Sequence, residues 1–195
     1  MIEWSSVWSG SIWTGQQSKQ PNGKLFERVV RSPGSRLIFV RDGKVLLNKE
    51  KRQELGGKSD YRLPGGKVFD LNSDFQAFLT SGNDILAVSK ISAAKEAHEE
   101  VGIIVDIEKL NYECTDVLGT TCTWDLIYWS CDEFMFDEKG AHFHDSEANE
   151  IEGFVWLSMG DACKLALDST EFSESRSAQA LLRYAATHGY ISLHE

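Results

Sequence analysis

The chain has 195 residues, of which 42% are hydrophobic and 3 are prolines, so it can bury the core of one domain and is too apolar to be disordered. Its 30 acidic and 20 basic residues give a formal net charge of −10, which disfavours nucleic acid as a partner because contacts with phosphates need a basic surface. No stretch is as apolar as a membrane span and no secretory signal is visible, so we expect a cytoplasmic protein without membrane partners.

Residues 1–33 predict a small antiparallel unit. Ser11–Thr14 and Leu25–Val30 are rich in β-branched and aromatic residues, as strands are, and Pro21–Gly23 between them is typical of a turn. Three tryptophans near the N-terminus can stack on a base or line a contact between subunits: Trp4, Trp8 and Trp13.

A second hairpin and a glycine turn come next. Arg36–Val40 and Lys44–Leu47 flank Asp42-Gly43 and predict two antiparallel strands. In Leu63–Gly66 a proline is followed by Gly65 and Gly66, which let the backbone approach a ligand closely. Two arginines precede this turn and either contact phosphate or ribose oxygens or face water: Arg52 and Arg62.

The most informative segment is a predicted helix, Ser89–Val101, with Asp84 or Ser89 as its N-cap and Gly102 as its end. Three carboxylates share one face of this helix because residues three and four apart are neighbours: Glu96, Glu99 and Glu100. Carboxylates this close repel one another unless a cation lies among them, and such oxygen ligands suit Mg²⁺ or Mn²⁺.

The C-terminal part predicts strands and helices around a polar loop. The predicted strands are Thr115–Leu118, Thr123–Trp129 and Glu152–Leu157, and the predicted helices are Met159–Leu167 and Ser175–His188. The loop at 132–149 contains His142, His144 and Asp145, which either chelate a metal or face solvent. Four cysteines lack C-x-x-C spacing and are interpreted as reduced thiols rather than a zinc site or disulfides: Cys114, Cys122, Cys131 and Cys163.

The glycine turn and the carboxylate helix together resemble the Nudix box, whose pattern is G-x5-E-x7-R-E-U-x-E-E-x-G-U, with U aliphatic. Lys95–Ile103 matches its distal half, with lysine in place of the arginine. Gly66 and Lys95 are 29 positions apart instead of 14, and we place the 15 extra residues in a loop at 69–84. Ala87 stands where the pattern has its first glutamate, unless Asp84 supplies a carboxylate from a shifted loop.

The resemblance implies a single domain, 1–195, with the α/β fold of the family: a Nudix α/β/α sandwich with a mixed sheet, preceded by a small N-terminal antiparallel sheet. The N-terminal unit and the C-terminal helix also resemble ADP-ribose pyrophosphatases, in which that sheet is exchanged within a homodimer. The implied function is metal-dependent hydrolysis of ADP-ribose or a similar nucleotide sugar to a nucleoside monophosphate and a sugar phosphate. Two alternatives are a hydrolase of other nucleotides and a nucleotide-binding or regulatory module that has lost catalysis.

Individual roles follow from the same resemblance. The implied metal ligands are the Gly66 carbonyl and the carboxylates of Glu96, Glu99 and Glu100, and Gly65 and Gly66 also contact the substrate. Catalytic roles are implied for Glu99, Glu100 and Lys95, although lysine lacks the planar fork of arginine. The candidates for the general base lie in the loop before the last strand, and the alternative interpretation of this loop is a solvated acidic segment: Glu150 first, then Glu147.

Overall fold

A computed structural model describes residues 3–52, 56–118, 122–141 and 151–192. Within these ranges the strands are β1 Ser5–Ser9, β2 Trp13–Lys19, β3 Leu25–Arg31, β4 Gly34–Arg41, β5 Lys44–Arg52, β6 Lys58–Arg62, β7 Ile103–Ile104, β8 Asn111–Asp116, β9 Cys122–Thr123, β10 Leu126–Cys131, β11 Met135–Phe136 and β12 Ile151–Ser158. The α-helices are α1 Asn72–Ser81, α2 Ile85–Val101, α3 Met159–Ala166 and α4 Ser175–Thr187.

A mixed sheet forms the centre of the fold, with the strand order β12-β5-β4-β10-β8 and β6 paired with β5. The strands β4 and β10 run parallel, and the other neighbouring pairs run antiparallel. Ile38 and Val40 of β4 pack against residues of α3 and α4, whereas Leu37 and Phe39 pack against residues of α2. The sheet is therefore covered on both faces, which confirms the predicted α/β/α sandwich.

The small N-terminal sheet has the order β1-β2-β3-β9. The predicted hairpin is confirmed as the antiparallel pair β2–β3. Two differences from the prediction are the additional strand β1, whose five residues are all exposed, and the short strand β9, which pairs parallel to β3. No alternation of buried and exposed residues indicated β1, because all five of its residues are exposed.

The interpretation of residues 69–84 as a loop is wrong, because this segment contains α1. Its many Asn, Asp and Ser residues are typical of turns, but Phe75 is buried and its ring lies 5.6 Å from that of Phe69. The side-chain amide of Asn72 donates to the Gly10 carbonyl (2.9 Å) and to Thr14 Oγ1 (3.0 Å). Tertiary contacts with the N-terminal sheet thus stabilise a helix that the local composition does not indicate.

The carboxylate helix begins at Ile85, four residues before its predicted start, and ends at Val101 as predicted. Asp84 caps it by accepting a hydrogen bond from the backbone N–H of Leu86 (2.9 Å). Gly102 follows the helix with φ of +64°, as a glycine at this end of a helix commonly does. Both predicted boundary signals are therefore used, with Asp84 and not Ser89 as the cap.

The remaining predicted elements are present with shifted ends. The single strand expected over Thr123–Trp129 is divided into β9 and β10, and the strand and two helices near the C-terminus are confirmed as β12, α3 and α4. The candidate bases and the His-rich motif at 142–150 lie outside the described residues. Over the ranges described, no helix is both long enough and apolar enough to cross a membrane.

Candidate active site

The glycine turn, residues 63–66, lies between β6 and α1 and runs along the beginning of β4. The backbone N–H of Ser35 donates to the Gly66 carbonyl at 2.9 Å. Gly65 has φ of +137°, and a Cβ at this position would overlap the Ser35 carbonyl oxygen. Only glycine tolerates both this positive φ and this close approach of backbone, so packing of the turn against β4 requires glycine at position 65.

The second glycine of the turn faces the helix α2. A Cβ on Gly66 would lie 2.5 Å from both carboxylate oxygens of Glu96. Because glycine has only a hydrogen at this position, the Glu96 carboxylate can lie beside it. The Gly66 carbonyl uses one lone pair for the Ser35 N–H and keeps a second one for another partner. The structure thus brings Gly66 close to Glu96, another of the predicted metal ligands.

Two glutamates of α2, Glu96 and Glu100, are 5% and 7% exposed. One oxygen of Glu100, Oε2, accepts hydrogen bonds from the Gly65 N–H (2.7 Å) and from Asn48 Nδ2 (3.0 Å). Burial raises the pKa of Glu100 well above its usual range, and the charges of Glu50 and Glu96 raise it further, while the Gly65 N–H and Arg36 lower it. The site therefore concentrates negative charge that burial makes unfavourable.

Glu50 of β5 is a member of this cluster that the motif did not indicate. It is 2% exposed, and its charge acts on Glu100. The signal was available in the alternation of β5, because Leu46, Asn48 and Glu50 share one face of the strand and Leu46 is fully buried. Asn48 and Glu50 follow Leu46 on the face of β5 that points into the core, and two polar residues in such positions indicate a buried polar site.

The third predicted ligand, Glu99, forms an ion pair with Lys95. Lys95 Nζ is 3.3 Å from Glu99 Oε2 and 3.5 Å from Asp70 Oδ2. Asp84 caps the start of α2, eleven residues or roughly 16 Å along the helix from Lys95, so its carboxylate does not pair with Lys95. Asp70 is the described carboxylate from outside the helix that lies beside Lys95.

The predicted substrate-binding arginines have different positions. Arg62 donates from Nε to Asp60 Oδ1 (2.9 Å) and lies 3.9 Å from carboxylate oxygens of Glu50 and Glu174. Its side chain is 13% exposed, so it is held mainly by acidic residues of the protein itself. The backbone of Arg52 pairs with Lys58 at the end of β5, and its side chain lies outside the described residues.

A buried ion pair supports the glycine turn from the other side of the sheet. Arg36 Nε and Nη2 each donate to a carboxylate oxygen of Glu174 at 3.0 Å, and Arg36 Nη1 donates to the Gly65 carbonyl at 2.9 Å. Burial alone would raise the pKa of Glu174, but the Arg36 guanidinium, together with the Ser177 hydroxyl and Arg62, lowers it to about 2. Sequence reasoning missed this pair because its residues are 138 positions apart.

Comparison with solved structures identifies the fold. An ADP compounds hydrolase matches with a TM-score of 0.70 and 15% identity, over 98% of this chain and 96% of that chain. A MutT NUDIX hydrolase from Burkholderia pseudomallei matches with a TM-score of 0.52 and 20% identity, over 77% and 95% of the two chains. The chain has the Nudix fold.

A third structure, the E. coli ORF135 protein, matches with a TM-score of 0.53 and 17% identity, over 80% of this chain and 91% of that chain. No family model matches the sequence, and no curated protein matches it. The likeness is therefore one of fold, and the match over nearly the whole of both chains extends to the N-terminal sheet and α4.

Within this Nudix fold, the oxygen donors of the site are of the chemical kind that divalent cations prefer. The site contains carboxylates and a backbone carbonyl, and the Glu96 carboxylate lies directly beside Gly66. Asn48 Oδ1 is buried, and no hydrogen-bond donor of the described residues reaches it. Over the same residues no three acidic, histidine or cysteine side chains are arranged to hold one ion.

We expect Lys95→Ala to lower kcat/KM for the hydrolysis proposed below by about 10-fold, because we expect this lysine to orient Glu99 and not to bind a metal itself. The free energy of unfolding should change by less than about 0.5 kcal/mol, because the pair is half-exposed. Steady-state kinetics and urea unfolding measure the two effects. The control is Lys164→Ala, which removes a similar ion pair on the surface of α3, where Lys164 Nζ lies 3.4 Å from Asp161 Oδ1. Equal losses of activity in both variants would contradict the role expected for Lys95.

The Arg36–Glu174 pair should make stability depend on pH in the acid range. The pKa of Glu174 falls from 4.5 to about 2 on folding, so the pair stabilises fully above pH 4.5 and the contribution is lost as pH falls towards 2. At about 1.4 kcal/mol per pKa unit, this contribution is about 3 kcal/mol. Urea unfolding of Glu174→Gln and wild type should show this difference at pH 7 and a clearly smaller one at pH 3; a constant difference would refute it.

Proposed function

We propose that the protein is a divalent-metal-dependent pyrophosphohydrolase that cleaves a nucleoside diphosphate linked to another moiety. The substrate class is ADP-ribose or a similar nucleotide sugar, and the products are a nucleoside monophosphate and a sugar phosphate. The observation that carries the proposal is the glycine turn held against two buried glutamates, Glu96 and Glu100. The near full-length likeness to a structure described as an ADP compounds hydrolase supports the substrate class.

The proposed metal is Mg²⁺ or Mn²⁺, held by the Gly66 carbonyl, Glu96 and Glu100, with Glu99 joining them when its side chain turns away from Lys95. Such an ion neutralises charge on the phosphoryl oxygens of the substrate and makes a water molecule more acidic. The high pKa of Glu100 supports this set, because a cation favours the ionised form of a carboxyl that burial and neighbouring acids disfavour.

The other residues of the site have supporting roles in the proposal. The Gly65 N–H and Asn48 orient the Glu100 carboxylate, and Lys95 orients Glu99. Glu150, and after it Glu147, remain the proposed general bases from the loop before β12. Arg52 is retained as a candidate for contact with the diphosphate, whereas Arg62 is better placed to hold Asp60 and Glu50 than to meet substrate.

Product analysis tests the proposal directly. ADP-ribose and a panel of other nucleoside diphosphate compounds and nucleoside triphosphates are incubated with the protein and Mg²⁺ or Mn²⁺, and the products are separated and identified. We expect a nucleoside monophosphate and a sugar phosphate from one member of the panel, and no product in the presence of a chelator. A triphosphate as the preferred substrate would move the protein to another hydrolase class.

The variant Glu96→Gln and its control Glu108→Gln distinguish this site from a contaminating activity. Glu108 lies in the turn after β7, is largely exposed and is 3.9 Å from Lys90, so its substitution leaves the site intact. Loss of product with Glu96→Gln but not with Glu108→Gln is expected. Equal activity of both variants would locate the reaction elsewhere.

The second candidate function is a nucleotide-binding or regulatory module that has lost catalysis. It is favoured by Ala87 and Lys95, which depart from the Nudix box, and by the finding that no three acidic, histidine or cysteine side chains of the described residues are grouped to hold one ion. It predicts that calorimetry detects a nucleotide sugar binding to the protein while no member of the panel is hydrolysed.

A homodimer is the proposed assembly. The N-terminal sheet exposes a set of apolar side chains, which are between 37% and 55% exposed: Val7, Trp8, Ile12, Trp13, Leu25 and Phe26. Exposed apolar patches of this kind mark sites of association. Sedimentation velocity should give the mass of a dimer for wild type and of a monomer for Trp8→Glu; a wild-type monomer at micromolar concentration would exclude the assembly.

A further inference from the structure

Arg36 joins three segments that are distant in the sequence. Its side chain is 8% exposed, and the partner carboxylate of Glu174, the residue before α4, is 9% exposed. The guanidinium donates twice to Glu174, each time at 3.0 Å, and Nη1 donates to the carbonyls of Ser35 (3.1 Å) and Gly65 (2.9 Å). The start of α4 is therefore connected through one side chain to the glycine turn.

The connection continues from the turn to α2. Gly65 accepts from Arg36 with its carbonyl and donates with its N–H to Glu100 Oε2 at 2.7 Å. Both peptide groups that flank the Gly65 Cα are thereby used, and the residue has no space for a side chain beside Ser35. A displacement of Arg36 thus acts on the same residue that orients the Glu100 carboxylate.

The pair itself is held by further contacts on the α4 side. Ser177 Oγ donates to Glu174 Oε2, and Arg62 Nη1 lies 3.9 Å from Glu174 Oε1. Buried ion pairs often stabilise a fold no better than apolar residues of the same size, because removing two charges from water is unfavourable. What an apolar pair cannot provide is a planar fork that binds a carboxylate and a backbone carbonyl at defined angles.

We propose that Arg36 and Glu174 are positioning residues: through the Gly65 peptide groups they set the orientation of Glu100 in the site. Neither residue is proposed to touch the substrate. The inference rests on the proposed function for its effect on turnover, but the positioning of Gly65 can be measured without any substrate. It assigns to the C-terminal helix a role in the chemistry on the opposite face of the sheet.

The test compares Glu174→Gln with Leu181→Ala. Leu181 is a fully buried residue of α4, so its truncation weakens the packing of the same helix without changing Arg36. The first readout is amide hydrogen exchange by NMR at Gly65 and, as a reference in the central sheet, at Leu47. We expect Glu174→Gln to accelerate exchange at Gly65 about 10-fold more than at Leu47, and Leu181→Ala to accelerate both alike.

The second readout is the affinity for Mn²⁺, measured by calorimetry without substrate. Glu174→Gln should weaken it about 10-fold, as loss of a residue that orients a metal ligand does, while Leu181→Ala should leave it unchanged. Arg36→Lys should behave like Glu174→Gln because lysine has no fork, and Glu174→Asp should recover part of the affinity. In kinetics, kcat should fall at saturating metal with KM for the substrate nearly unchanged.

Two results would overturn the positioning role. One is a similar response of Gly65 and Leu47 in Glu174→Gln, which would make the pair a general stabiliser of α4. The other is wild-type exchange and Mn²⁺ affinity in Arg36→Lys, which would show that a charge alone is sufficient. If wild type hydrolyses no compound of the panel, the proposed function fails, and amide exchange at Gly65 still decides the inference.

Discussion

Glu100→Gln is expected to reduce turnover by at least about 100-fold and to make the metal-free protein more stable at neutral pH. Residues that only orient a metal ligand contribute about 10-fold to 100-fold to activity, so loss of a proposed ligand should cost no less than the upper end of this range. Glutamine keeps the shape of the side chain and can accept the hydrogen bond from Gly65, so the fold should be retained.

The gain in stability follows from the sign of the pKa shift. The pKa of Glu100 in the folded protein is raised above the 4.5 of an ordinary glutamate, first by burial and then by Glu50 and Glu96. A carboxyl of this kind binds its proton more tightly in the folded state than in the unfolded state. Its contribution to the free energy of unfolding is therefore most favourable below pH 4.5 and is lost as pH rises through the pKa of the folded state. Glutamine has no charge and avoids this loss.

Thermal unfolding of the chelated protein at pH 4 and pH 8 measures this effect. Glu100→Gln should have the higher Tm at pH 8, and its advantage should shrink at pH 4. Saturating Mg²⁺ should stabilise wild type more than the variant, because a ligand stabilises the state that it binds. A variant that is less stable than wild type at pH 8 without metal would contradict the proposed burial of unfavourable charge.

The candidate site divides into a part that local sequence predicts and a part that it does not. Glu96 and Glu100 share a face of one helix, and Gly65 and Gly66 form one turn, so spacing alone indicates them. Glu50 was missed, although the alternation of β5 contained a signal for it. The pair Arg36–Glu174 connects a central strand to the last helix across 138 positions, and no local pattern specifies such a contact.

The same distinction explains the wrong interpretation of residues 69–84. The helix α1 has a buried start and a buried ring, Asn72 and Phe75, and both depend on surfaces that the N-terminal sheet and the rest of the segment provide. Helical propensity is a weak guide when tertiary contacts decide the outcome. The helix α2 was predicted because its capping residue, its glycine end and its spacing all lie within the segment itself.

Gly65→Ala and Gly66→Ala should separate the structural and the chemical roles of the glycine turn. A Cβ at Gly65 would overlap the carbonyl oxygen of Ser35 and lie 3.0 Å from Arg36 Cα, with φ of +137°. Backbone atoms cannot move aside as a side chain can, so we expect a loss of at least about 3 kcal/mol in the free energy of unfolding.

A Cβ at Gly66 meets instead the Glu96 carboxylate, the end of a flexible side chain. Glu96 can rotate away, so Gly66→Ala should lose only about 1 kcal/mol of stability and about 100-fold of turnover, since a displacement near 1 Å in a reacting site has effects of this size. Urea unfolding and kinetics of both variants check the contrast. Near wild-type stability of Gly65→Ala would show that the turn does not pack against β4 as described, and full activity of Gly66→Ala would remove Glu96 from the site.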